Sequence, residues 1–334
     1  MDWKNLGFAY HPTRAWIRCE YRAGQWSTPQ VVTDPHFKIH AAAISLQYGQ
    51  ACFEGLKAFQ TQNQNAVLFR PDQNALRMQK SAERICMIAP PVQLFVECCK
   101  LAVFHNREFL PPYGTGASLY LRPTLIGTDP AIGLAPSQAF DFYVLVTPVG
   151  PYYKDGFFPV KALVVDHFDR AAPLGTGMAK VAGNYAAGLL PSLYAKKLGY
   201  PIALHTDPVH HTHIDEFGTS NFLGIDKSGA YHTPQSSSIL PSITNDSLMQ
   251  IAKDQGREVF RRPIAINELG NFTEVGACGT AAVITPIYSI TRQDQVWTFG
   301  ESQQAGAVLT QLYKALQGVQ YGEQPDSHDW LVAC

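Results

Sequence analysis

Charge is scarce in this sequence. Only 16% of its 334 residues are Asp, Glu, Lys or Arg, and 26 basic against 27 acidic side chains leave a formal net charge of -1. No basic block exceeds the pairs Lys196-Lys197 and Arg261-Arg262, so the electrostatic footprint of a nucleic-acid or anionic-membrane binder is missing. No uninterrupted apolar run approaches the roughly 20 residues of a membrane helix. The opening Met1-Asp-Trp-Lys-Asn also lacks the basic and then apolar plan of a signal peptide. A soluble, cytoplasmic protein with small-molecule partners is expected. Cys-x-x-Cys is absent as well: the seven cysteines (Cys19, Cys52, Cys86, Cys98, Cys99, Cys278, Cys334) are odd in number and irregularly spaced, which points to free thiols in a reducing compartment. Neither an internal repeat nor a low-complexity tract is present, which removes solenoid and disordered readings.

Apolar residues make up 46% of the chain, and its length allows two domains with sizeable cores. Apolar runs bounded by Gly, Pro or Asp at 66–69, 118–126, 140–146, 161–165 and 281–287 read as strands. Helical spacing interrupts them. Asp72 is placed to cap a helix carrying Ala75, Met78, Ala82 and Ile85 inward. A second helix is expected from Asn184 through Leu189, Leu190, Leu193 and Leu198 to Gly199, with a kink at Pro191. A third follows Ser242, turns Leu248, Ile251 and Ala252 inward and ends at Gly256. The mixture is α/β or α+β. The proline- and glycine-rich stretch Pro148-Val-Gly-Pro-Tyr-Tyr-Lys-Asp-Gly-Phe-Phe-Pro159 reads as the join, giving an N-terminal domain over 1–149, a loop over 150–159 and a larger C-terminal domain over 160–334. The aromatics of that stretch, Tyr152, Tyr153, Phe157 and Phe158, either close over an apolar ligand or plug the seam. His205, His210, His211 and His213 flank Asp207-Pro208 in a polar stretch that reads as a solvated turn and not a zinc site; no metal is expected.

One lysine stands apart. Lys180 lies in Gly175-Thr-Gly-Met-Ala-Lys-Val-Ala-Gly-Asn-Tyr185, among small and uncharged residues. An amine held partly out of water has its charged form disfavoured, so it becomes able to attack a carbonyl; a lysine that ends a strand and reaches to solvent is the plainer alternative. Glu216, before the Gly218-Thr219 turn, is a carboxylate suited to keep a heteroaromatic nitrogen protonated, and Tyr185 is a phenol suited to a ring oxygen. Leu240-Pro-Ser-Ile-Thr-Asn-Asp246 opens a helix whose first amides and positive dipole end suit a phosphate. Gly279-Thr-Ala-Ala282 offers a second turn with a hydroxyl, and Arg77 a planar cationic fork.

Seven segments in order carry a family resemblance: Tyr48-Gly-Gln-Ala-Cys-Phe-Glu-Gly-Leu-Lys-Ala58, Leu68-Phe-Arg-Pro-Asp-Gln-Asn-Ala-Leu-Arg-Met78, Tyr120-Leu-Arg-Pro123, the Lys180 segment, Glu216-Phe-Gly-Thr-Ser-Asn221, Leu240-Pro-Ser-Ile-Thr244 and Gly279-Thr-Ala-Ala-Val-Ile-Thr-Pro286. Together they resemble the branched-chain amino acid aminotransferases of the fold type IV pyridoxal-phosphate enzymes. That resemblance implies two α/β domains with the active site at their junction, and pyridoxal 5'-phosphate held covalently on Lys180. It matches Glu216 to the pyridine nitrogen, Tyr185 to the phenolic oxygen, and Arg77, Thr280, Ile243 and Thr244 to the phosphate, with Thr219 in support. On the substrate side it implies that Tyr48, Phe53 and Tyr120 wall an aliphatic side chain, as Tyr152 of the aromatic loop would, and that Arg122 with the Thr280-Ala281 turn binds carboxylates. Ile132 and Leu134 would reach into a neighbouring subunit's site, which implies at least a homodimer. The implied substrates are branched-chain L-amino acids and 2-oxo acids, including 2-oxoglutarate. The family's animal members carry a Cys-x-x-Cys where this chain has Ala282 and Thr285, so no thiol switch of that kind is expected. A D-amino acid aminotransferase, an aminodeoxychorismate lyase and a non-catalytic cofactor binder are the competing readings; residues 53–57 and 120–123 resemble the branched-chain group more closely.

Overall fold

The two longest alternating runs of the N-terminal half pair with each other. In the computed structural model, which describes residues 1–3, 5–150 and 157–334, Ser118–Gly127 and Phe140–Val149 run antiparallel along their whole length. Period-2 alternation sends Leu119, Leu121 and Leu125 of one, with Phe140, Phe142, Val144 and Val146 of the other, into a single core. Each such side chain contributes about 1.5–3 kcal/mol by leaving water. In chain order the strands of this region are β1 (Trp16–Arg22), β2 (Gln25–Trp26), β3 (Gln30–Val32), β4 (Ala51–Phe53), β5 (Leu56–Gln60), β6 (Ala66–Phe69), β7 (Ser118–Gly127) and β8 (Phe140–Val149). Helix α1 (Ile44–Tyr48) precedes β4, and α2 (Pro71–Arg84) and α3 (Val92–Phe104) follow β6. The core is closed by α3, whose Phe95, Cys98, Cys99, Ala102 and Val103 recur at helical spacing.

The second region is built from β9 (Val160–Val164), β10 (Ile202–Thr206), β11 (Ile214–Phe217), β12 (Ser220–Asp226), β13 (Tyr231–Pro234), β14 (Val259–Arg262), β15 (Phe272–Gly279), β16 (Val283–Arg292) and β17 (Gln295–Thr298). Its helices are α4 (Ala182–Ala187), α5 (Leu189–Lys197), α6 (Ile243–Asp254) and α7 (Ala307–Gln320). The strand order β11-β10-β9-β16-β15-β12 closes on itself through a β11–β12 pairing, with β13 and β14 continuing from β12, which removes the free edge of β11. Leu204, Phe217, Phe222, Ala277, Ile287 and Ile290 fill its core. The Ser242 hydroxyl accepts the Asn245 amide at 3.1 Å to cap α6, and Leu248, Ile251 and Ala252 face inward as expected.

The chain divides into two compact units, Met1–Lys154 with Ala179–Gly183 and Val319–Cys334, and Asp155–Met178 with Asn184–Gly318. The expected 160–334 block therefore gives up Ala179–Gly183 from its interior and Val319–Cys334 from its end. Val181 bridges Cys52, and a last strand, β18 (Leu331–Ala333), pairs with β6; strand hydrogen bonds made far along the sequence return both pieces to the first unit. Of the expected join, residues 151–156 lie outside those described, Tyr152 and Tyr153 among them. Phe157 stacks on Tyr313 with ring centroids 4.4 Å apart.

Local expectations fail at three places. Arg70, in the left-handed region at φ 48°, precedes α2, so Pro71 starts the helix and Asp72 sits in its first turn without capping it. The helix expected from Asn184 is split into α4 and α5 by Gly188, and Leu189, Leu190 and Leu193 are exposed while Pro191 and Ala195 are buried. His205 belongs to β10 and is 1% exposed, whereas His210, His211 and His213 surround a turn whose amides converge on Asp207.

Candidate active site

One helix and one strand hold the backbone of Lys180. Its N–H donates to the Ser81 hydroxyl of α2 at 2.9 Å, and its carbonyl accepts the Phe53 N–H of β4 at 3.1 Å. Ser81 in turn donates to the Arg77 carbonyl at 2.9 Å, so one hydroxyl links the backbones of two expected site residues. The Lys180 amine stands 4.8 Å from the centre of the Phe53 ring, a cation–aromatic contact. Arg122 approaches the same ring at 4.7 Å and the Tyr120 ring at 5.3 Å. Tyr120 and Arg122 are two apart on β7 and share a face, and Arg122 Nη2 donates to the Tyr120 oxygen at 3.1 Å. A Cβ at Gly55 would stand 2.1 Å from that oxygen; the missing side chain makes room for the phenol. Lys57 lies opposite Tyr120 in register, 6.0 Å from the Phe8 ring, and burial pushes its amine down to about 8. Tyr48 donates to the Ile132 carbonyl, while Ile132 and Leu134 are 72% and 83% exposed.

Arg77 is far from a surface charge. Its Nε donates to Glu54 Oε1 at 2.8 Å and its Nη2 to Oε2 at 2.7 Å, a bidentate pair whose carboxylate is wholly buried. Asn74 Nδ2 at 2.8 Å and the Gly55 N–H at 3.3 Å also donate to Oε2.

In the second unit Glu216 is set on β11, its neighbour Asp215 pointing to the opposite face. Arg170 Nε stands 2.7 Å from Glu216 Oε1 as a close ion pair. The Leu240 N–H donates to the same oxygen at 3.1 Å, and Asn221 Nδ2 to Oε2 at 3.2 Å. Asn221 Nδ2 also reaches the Leu240 carbonyl at 3.0 Å, which ties the entry of α6 to the β11–β12 hairpin. Arg170 is anchored in turn by the carbonyls of Gly177 and Ser238. Asp215 receives the Ser238 hydroxyl, and burial raises it above the usual carboxylate range. Pairing of Asn221 with Cys278 puts the Thr219 turn and the Thr280-Ala281 turn at the same end of the sheet, where a Cβ on Gly279 would be 3.8 Å from the Thr219 carbonyl. Glu216, Thr219, Thr280, Ala281 and the Ile243–Thr244 helix start therefore gather at one end of the second unit. The first-turn amides of Ile243 and Thr244 have no acceptor within their own helix, and the helix dipole is positive there. Tyr185 is half-buried in α4, next to Asn184, whose amide exchanges two hydrogen bonds with Thr176 at 2.7 and 2.8 Å.

Residues 51–290 match the family described as amino-transferase class IV. The chain belongs to this family. A branched-chain-amino-acid aminotransferase of Haemophilus influenzae is 44% identical to this class IV aminotransferase over 99% of the chain and 98% of its own length. One from Helicobacter pylori is also 44% identical, over 99% and 97%. The crystal structure of the Escherichia coli branched-chain amino acid aminotransferase matches the fold with a TM-score of 0.79 at 27% identity, covering 96% of this chain and 98% of that one. The architecture is that of fold type IV aminotransferases.

Four residues that shape the two clusters of this class IV aminotransferase escaped the sequence reading: Ser81, Glu54, Arg170 and Lys57. The first three act through partners remote in sequence, with Ser81 and Lys180 separated by 99 positions. Lys57 carried a usable signal, since it alternates with apolar Leu56 and Ala58 in a strand. Among the described residues no group of three or more His, Cys, Asp and Glu is placed to hold a metal, and no helix is long and apolar enough to cross a membrane.

Proposed function

We propose that the protein is a branched-chain amino acid aminotransferase, with pyridoxal 5'-phosphate held covalently on Lys180, transferring the amino group of L-leucine, L-isoleucine or L-valine to 2-oxoglutarate. Near full-length identity of 44% to proteins of that name carries the reading. The residues fit the cofactor: Glu54 braces a planar cation at Arg77, and a carboxylate, two threonine turns and a helix start gather at one end of the second unit.

When bound, the cofactor supplies a ring that takes up the electron pair left by removal of the substrate Cα proton. Lys180 Nζ is the group that takes and returns that proton. Glu216, held by Arg170, Asn221 and the Leu240 amide, keeps a proton on the ring nitrogen, and Tyr185 donates to the ring oxygen. Arg77, Thr280 and the amides of Ile243 and Thr244 bind the phosphate, with Thr219 beside them. Tyr48, Phe53 and Tyr120 wall the aliphatic side chain and exclude water, while Arg122 and the Thr280-Ala281 turn bind carboxylate. A cytoplasmic homodimer completes the reading: exposed Ile132 and Leu134, with Leu189, Leu190 and Leu193 of α5 also exposed, supply apolar surface of the kind subunits cover.

The test is spectroscopic. The purified protein with cofactor is mixed with L-leucine or D-alanine alone. Loss of the lysine-bound cofactor band with L-leucine only, and its return with 2-oxoglutarate, is expected. A response to D-alanine instead would assign a D-amino acid aminotransferase; a response to neither would leave an aminodeoxychorismate lyase or a non-catalytic binder.

A further inference from the structure

Among the described residues, Glu54 is a buried carboxylate faced by donors. Arg77 Nε faces Oε1, while Arg77 Nη2, Asn74 Nδ2 and the Gly55 N–H face Oε2. All four partners donate, so an acceptor-only group with two oxygens is required. A glutamine would have to turn its NH2 toward a donor whichever way its amide pointed. Arg77 meets Glu54 through its side edge, Nε and Nη2, and guanidinium planarity then fixes the direction of the end edge that carries Nη1. The carboxylate therefore sets the aim of the arginine fork as well as balancing its charge.

We propose that Glu54 is a positioning residue for cofactor phosphate, acting through Arg77 without touching the cofactor itself. The inference rests on the reading that Arg77 binds that phosphate. It assigns Glu54 a role that residues of the pyridine end, such as Glu216, do not share: Glu54 should matter only for a ligand that has the phosphate.

That selectivity is the test. The full-length protein stripped of cofactor is titrated with pyridoxal 5'-phosphate and, separately, with pyridoxal, for the unmodified chain, Glu54→Gln, Arg77→Met and the double variant, with circular dichroism as the folding control. Glu54→Gln is expected to weaken pyridoxal phosphate binding about tenfold or more, the scale of a lost charge-assisted hydrogen bond, and to leave pyridoxal binding within about twofold. The double variant should match Arg77→Met, because Glu54 has nothing left to aim. Equal losses for both ligands, or a double variant clearly weaker for the phosphate than Arg77→Met alone, would overturn the proposal. Should Glu54→Gln fail to fold, the comparison of Arg77→Met with the double variant, in which neither charge remains, decides by the same criterion. If Arg77→Met itself leaves the preference for the phosphorylated ligand intact, the assignment of Arg77 fails and this inference falls with it; if Arg77→Met loses the preference and Glu54→Gln keeps it, the inference alone fails.

Discussion

Replacing Ser81 by alanine removes one oxygen atom and separates two backbones that the hydroxyl joins. Ser81 is fully buried, accepts the Lys180 N–H at 2.9 Å and donates to the Arg77 carbonyl at 2.9 Å. The Arg77 carbonyl keeps its place in the α2 ladder, so its loss is small; the Lys180 N–H loses this acceptor in a dry setting, which costs about 1–3 kcal/mol. Alanine's better helix propensity returns about 0.5 kcal/mol, and a net loss of about 1–2 kcal/mol is expected. Urea unfolding should show the midpoint falling with its slope unchanged. Hydrogen exchange should show the Lys180 amide exchanging roughly tenfold faster, since each 1.4 kcal/mol is a factor of ten. Because the lysine backbone loses its register while the substrate walls are untouched, kcat should fall with KM for leucine little changed. A variant with unfolding midpoint and Lys180 exchange both unchanged would refute the view that this hydroxyl sets the lysine.

Gly55→Ala pushes a methyl group into the space of the Tyr120 hydroxyl, 2.1 Å from the added carbon; KM for branched-chain substrates should rise with cofactor affinity unchanged, and steady-state kinetics beside a cofactor titration would show it. Arg170→Met leaves the buried Glu216 carboxylate without its cation and should cost about 3–5 kcal/mol, a fall of about 10 °C in Tm, much of it recovered when Glu216→Gln is added; no recovery in the pair would show that the ion pair is not the cause. Burial pushes His205 down to about 4, against its bond to the Phe168 carbonyl. With its folded pKa below the unfolded value of about 6.5, the unfolded chain binds more protons between those limits. The stability His205 confers is whole above pH 6.5 and is lost as pH falls toward 4, by about 3 kcal/mol. The difference in unfolding free energy between the protein and His205→Gln should therefore depend on pH in that window and be flat above it.

What the sequence made legible was local. The Gly218-Thr219 and Gly279-Thr280 turns and the Ser242 cap are written in consecutive residues, and each forms where its residues say. Glu216 and the α6 start could therefore be placed without knowing the sheet. Pairings across the sheet are another matter: nothing near Glu54 specifies that Arg77 will lie over it, and nothing near Arg170 specifies Glu216. The direction a periodic face takes is also not local. Leu189, Leu190 and Leu193 have the spacing of a core face, yet α5 turns Pro191 and Ala195 inward, because a run rich in leucine on several sides leaves the choice to its neighbours. His205 reads with its polar successors, although its alternation with Ala203 puts it among buried strand residues.

Small, uncharged neighbours mark Lys180 as an amine held partly out of water, and by that criterion Lys57 competes with it. Lys57 is pushed down to about 8 by burial alone and lies across from Tyr120. Lys180 differs in its place: its N–H and its carbonyl tie α2 to β4, and its amine is set over Phe53 at 4.8 Å, whereas Lys57 lies within β5 with its amine 6.0 Å from the Phe8 ring. A lysine that must hold a ligand and then move a proton at one atom needs a fixed origin more than a low pKa, since misplacement of the amine by about 1 Å costs on the order of a hundredfold in rate. Borohydride reduction of the cofactor-loaded protein, followed by peptide mass spectrometry, should therefore find the cofactor on Lys180, and Lys57→Met should still be labelled in full. Label on Lys57 in the unmodified protein would mean that desolvation, and not the backbone clamp, selects the reactive amine.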